Sequence, residues 1–158
     1  MKPAINVITL KNFKHAAFAS QETLCFEATV CIEGKKAGHA RNDGCGGCTY
    51  VHLDTEFRHL DTPENDLEGK VDAIAYDLVA KKQDKQALAS TKRELSKHIL
   101  FRRKDTPAGQ SRIFRNAVGS PQEAAIYAKL KADPTVEVIY NHLPLEEATK
   151  ALRPGYGT

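Results

Sequence analysis

The stretch TLCFEATVCIEGKKAGHAR, residues 23–41, decides how the front of the chain folds. Thr, Phe, Val and Ile enrich its first half, as a half-buried pleated strand requires. Gly34 closes that half, and EGKK (33–36) reads as a hairpin turn into AGHAR (37–41), because glycine tolerates positive φ. Upstream, INVITL (5–10) is β-branched enough for a strand. Downstream, NDG (42–44) is a turn signal and CTYVHLD (48–54) a further short strand. The front therefore reads as an antiparallel meander of three or four strands. Cys25 and Cys31 lie six residues apart, which puts them on one face of a strand, and buried thiols are ordinary core residues.

The middle reads as helical. Thr62 and Pro63 suit the N-cap and first helical position, and Glu64, Asp66 and Glu68 favour the positive end of a helix dipole. Leu67, Val71, Ile74, Leu78 and Val79 then form an apolar stripe of helical period. A second helix is expected over 84–98, with Leu88, Leu95 and Ile99 as its sparse buried side. Farther on, HILFRR (98–103) and SRIFRNA (111–117) read as strands around a Pro/Gly loop. SPQE (120–123) reads as a helix start with Ser120 as N-cap, TVEVIY (135–140) as a strand and LPLEEATKAL (143–152) as a last helix. RPGYGT (153–158) reads as a frayed tail. The expectation is one α+β domain over 1–158: an N-terminal antiparallel β-meander (β-rich 1–54), central helices (62–98) and a mixed ββαβα segment (99–153).

The net charge of +3 conceals a strong segregation. Residues 54–80 carry eight acidic groups against Arg58 and Lys70, whereas residues 81–115 carry eleven basic groups against Asp84, Glu94 and Asp105. No apolar run reaches the ~20 residues of a membrane span, and MKPAINVITLKNFKHAAF has no signal-peptide pattern. The chain is expected to be soluble and cytoplasmic, with no membrane partner and with reduced cysteines.

His39, Cys45, Cys48 and His52 give the spacing H-x5-C-x2-C-x3-H. C-x2-C is a usual chelate for tetrahedral zinc, and the interleaved glycines would let both sulfurs converge. Zinc ribbons, however, use two well-separated ligand pairs, and here all four ligands fall within fourteen residues. A redox pair is disfavoured because no helix follows the motif. The competing reading is a hairpin whose glycines carry positive φ and whose thiols are incidental.

ETLCFEATVCIEGKKAG followed by RNDGCGG resembles a group of small phage- and plasmid-encoded proteins that share an E-T-x-C-F-x-A-T run and an N-D-G-x-G-G run. The resemblance covers residues 20–47. It implies an origin on a mobile element and no particular activity. Carried over residue by residue, it marks Glu22, Asn42, Asp43, Gly44, Gly46 and Gly47 as a candidate loop site. Such a turn, rich in free amides, can bind a phosphate or a partner backbone.

The basic block supplies the other candidate site: Lys81, Lys82, Lys85, Lys92, Arg93, Lys97, Arg102, Arg103, Lys104, Arg112 and Arg115. Clustered cations are the electrostatic footprint of phosphate binding. Phe101, Phe114 and His98 are interleaved with them and would stack on bases if exposed. Catalytic signatures are missing: no G-x-S-x-G, P-loop, H-E-x-x-H or G-x-G-x-x-G stands in its required context. Only a Cys–His pair, Cys45 or Cys48 with His39 or His52, offers nucleophilic chemistry.

The sequence thus points to a non-enzymatic binding protein of mobile-element type, without a cofactor. Its partner would be nucleic acid or a host complex that handles it, as an inhibitor of host defence would require. The alternatives are a zinc-stabilised interaction module, or an acidic surface that mimics DNA and engages a basic host protein.

Overall fold

The computed structural model describes residues 5, 7–107 and 109–157. The chain is α+β and divides into two compact units, 1–81 and 82–158.

The first unit holds a four-stranded antiparallel meander in the order β1-β2-β3-β4: β1 (Ile8–His15), β2 (Cys25–Ile32), β3 (Lys35–Asp43) and β4 (Tyr50–Leu53). Glu33 and Gly34, both at positive φ (49° and 80°), make the two-residue turn that joins β2 to β3 with Ile32 opposite Lys35. Positive φ at both central positions matches the right-handed twist of the strands it connects. Phe26, Ala28 and Val30 alternate onto one face and pack with Ala40, Leu53, Leu67 and Val71. β1 begins at Ile8, later than the expected Ile5, and runs past Leu10 to His15. Asn6 lies outside the described residues.

α1 spans Leu67–Leu95, a single 29-residue helix where two were expected. Ala80, Lys81, Lys82 and Gln83 are good helix formers, so nothing breaks the helix where the apolar stripe ends. Its start also differs. Pro63–Asn65 is a separate 3₁₀ turn, and Asp66, in the left-handed region, ends it. Asp66 also caps α1: its carbonyl accepts the Lys70 N–H at 3.1 Å and its carboxylate accepts the Gly69 N–H at 3.3 Å.

In the second unit, β5 (Ile99–Arg103) lies between β6 (Arg112–Phe114) and β7 (Val136–Ile139), all antiparallel. Ile99, expected both at the buried side of the second helix and in the strand HILFRR, lies in β5 and is fully buried with Phe101 and Leu130. α2 covers Glu123–Ala132 and α3 Leu145–Leu152. Ser120 is not the cap of α2; its hydroxyl donates to the Ala117 carbonyl, while Glu123 reaches back to accept the Gly119 N–H at 2.7 Å. Asn141 joins the parts. It accepts the Leu100 N–H at 2.9 Å and donates to the Leu95 and His98 carbonyls at 3.0 and 2.9 Å, satisfying the end of α1. The tail is tied down as far as Gly157, whose N–H donates to Asp84 at 3.1 Å.

Candidate nucleic-acid interface

The glycine loop between β3 and β4 folds onto the segment that precedes β2. The Gly44 carbonyl accepts the N–H groups of Gln21, Glu22 and Thr23 at 3.0, 3.0 and 3.3 Å. A side chain at Gly44 would bring its Cβ within 2.2 Å of the Ala19 carbonyl oxygen, so only glycine fits this approach. Asn42 is buried at 5% exposure. Its side-chain oxygen accepts from the Thr23 hydroxyl and the Gly44 N–H, both at 2.9 Å, and its amide donates to Thr49 Oγ1 at 3.0 Å and the Gly47 carbonyl at 3.2 Å. Thr49 in turn donates to the Asp72 carboxylate.

The two runs behind the mobile-element resemblance therefore meet in space. Glu22 packs where a side chain on Gly46 would stand, and Cys25 beside Gly44. Asn42, Gly44 and Gly47 spend their polar groups on one another and on the strand entry. Asp43 accepts the Cys45 N–H at 3.1 Å in a local turn. The loop is built as a clamp between segments.

His39 and His52 face each other across β3 and β4, ring centroids 5.2 Å apart, whereas Cys45 and Cys48 stand exposed in the loop. Among the described residues no group of three or more His, Cys, Asp or Glu is placed to hold a metal ion. Cys31 is buried, but Cys25, expected in the core, is half-buried and lines a surface groove.

The basic residues separate into two classes. Lys81 pairs with Asp77 at 2.6 Å, Arg102 with Glu137 at 3.1 Å, Arg103 with Asp133 at 2.9 Å and Arg112 with Asp105 at 3.1 Å. Lys82, Lys85, Lys92, Arg93, Lys97, Lys104 and Arg115 are exposed and make no ion pair among the described residues. At 3.6 residues per turn, Lys82, Lys85, Lys92 and Arg93 fall within an arc of roughly 100° on α1. Thr91, buried, and the half-buried Leu88 and Leu95 occupy the adjoining, inward arc. Of the interleaved rings, Phe101 is buried and Phe114 is 40% exposed; the two stack at 5.4 Å.

Sequence reasoning missed a second polar surface, the face of the meander turned away from its core. The strand register aligns Lys14, Glu27, Arg41 and Tyr50 in one row across all four strands. Lys11, Thr29, His39 and His52 form the neighbouring row. The Arg41 guanidinium lies 5.8 Å from the centre of the Tyr50 ring. The alternation of AGHARND, with His39, Arg41 and Asp43 outward, was the available signal.

No family model, curated protein or solved structure matches the chain. Among the described residues no helix is long and apolar enough to cross a membrane.

Proposed function

We propose that the protein binds nucleic acid, or a host complex that presents it, through the exposed cationic face of α1. One observation carries this reading: Lys82, Lys85, Lys92 and Arg93 share a helix face and make no ion pair among the described residues. Four exposed cations on one helix face are the electrostatic footprint of phosphate binding. Lys97, Lys104 and Arg115 extend the contact. Arg102, Arg103 and Arg112 already have carboxylate partners and contribute less. Occupying a phosphate-binding surface of a host defence complex, or its nucleic acid, is the biological role that fits a mobile-element origin.

Replacing Lys82, Lys85, Lys92 and Arg93 together by Glu tests this reading. These side chains are solvent-exposed, so the fold should survive, as circular dichroism can check. The slope of log affinity against log salt should fall by about 3–4 if each cation contacts one phosphate. Unchanged binding to every DNA and RNA form would refute it.

A second reading rests on the exposed carboxylates Asp54, Glu56, Asp61, Asp66 and Glu68, which make no ion pair among the described residues. On that reading the protein mimics nucleic-acid charge and engages a basic host surface. The same four substitutions on α1 would spare the activity.

A further inference from the structure

The outer face of the meander carries chemistry that the α1 reading does not use. Its two cross-strand rows interleave cations (Lys11, Lys14, Arg41), flat rings (Tyr50, His39, His52) and one carboxylate, Glu27. At about 4.8 Å between strands the rows run roughly 14 Å across the sheet. The surface is hollowed. A groove of about 520 Å³ is lined by Lys14, Cys25, Glu27, Arg41, Asp43 and Tyr50. A second hollow of about 380 Å³ shares Lys14, Glu27 and Arg41 with it and reaches His39. Tyr50 is 64% exposed, and Phe18, two residues beyond the groove-lining Ala16, is 94% exposed. Lys11, Lys14 and Arg41 make no ion pair among the described residues.

We infer that this sheet face is a binding surface for single-stranded nucleic acid, with a base stacked on Tyr50 and the backbone held by Arg41 and Lys14. The inference rests on the nucleic-acid reading and deepens it by naming the strand state. An open antiparallel sheet offers rings to the faces of bases, and a duplex hides those faces in its own stack. The exposed ring beside a cation supplies the stacking platform and a phosphate contact within one groove. Glu27 and Asp43, which would repel phosphates, are acceptors for the exocyclic amino groups of bases.

The test is a titration of a fluorescein-labelled 12-nucleotide DNA strand, and of its duplex, with the full chain. Five proteins are compared: wild type, Tyr50→Ala, Tyr50→Phe, Arg41→Ala and the α1 variant with Lys82, Lys85, Lys92 and Arg93 replaced by Glu. Tyr50→Ala is expected to lose about 5- to 150-fold in single-strand affinity, the range for one stacked base, and Arg41→Ala to lose affinity with a shallower salt slope, as one lost phosphate contact requires. Duplex affinity should stay unchanged, and Tyr50→Phe, which keeps the ring, should bind like wild type. Equal loss for strand and duplex, or wild-type affinity in Tyr50→Ala, overturns the inference. If the single strand binds and only the α1 substitutions weaken it, this inference falls while the nucleic-acid reading stands. If neither form binds the wild-type protein, both fall.

Discussion

Asn42 makes four hydrogen bonds from a buried position, and its partners come from two segments: Thr23 before β2, and Gly44, Gly47 and Thr49 in the loop between β3 and β4. Removing the amide takes a partner from the Gly44 N–H, the Gly47 carbonyl and the Thr23 and Thr49 hydroxyls at once, although Thr49 keeps Asp72 and Thr23 keeps the Gly46 N–H. Asn42→Ala should therefore cost about 2–4 kcal/mol, more than a typical substitution, because unsatisfied buried polar groups are expensive. Urea unfolding of the two proteins measures it; a loss below about 0.5 kcal/mol would contradict the clamp. Asp133 is a second informative residue. Hydrogen bonds from the Thr135 hydroxyl and N–H, with a lesser contribution from Arg103, hold its carboxyl below the ordinary value of 3.8. A lowered folded value means that the stabilisation is present above that ordinary value and is lost as pH falls through the folded one. Wild type and Asp133→Asn should thus differ in stability at neutral pH and converge in strong acid, as denaturant unfolding at several pH values would report. The glycine loop was legible in the sequence as a special cluster because Asn-Asp-Gly and closely spaced glycines have few structural uses. Its role was not legible. A clamp and a ligand loop need the same residues, and how Asn42 is satisfied depends on the placement of Thr23 and Thr49 around it.

At the scale of elements, the meander was readable because each strand carries β-branched residues and the hairpin carries its own turn chemistry. The cross-strand rows were not, since a row depends on register, and β1 slips between Lys11 and Lys14 relative to β2. No periodicity within one strand reveals which residues of its neighbours stand beside it. α1 shows the converse difficulty. Its apolar stripe fades after Val79, and the fading resembles an end, yet the backbone continues through residues with high helix propensity. The continuation matters for function, because it puts Lys82 on the same helix as Lys85, Lys92 and Arg93. Two helices joined by a loop would have left their relative facing undetermined.

For the whole molecule, the acid and basic blocks of the sequence fall largely into different compact units, 1–81 and 82–158. Ion pairs between carboxylates of residues 54–80 and cations of residues 81–115 are limited, among the described residues, to Asp77 with Lys81. The claim that α1 presents a phosphate-binding face is tested most directly by one titration. Labelled single- and double-stranded DNA and RNA are added to the full chain at about 50 and 200 mM salt. Binding that weakens steeply between the two, roughly 30- to 150-fold for three to four phosphate contacts, is the predicted result. Absence of binding at the lower salt, or binding indifferent to salt, would contradict it.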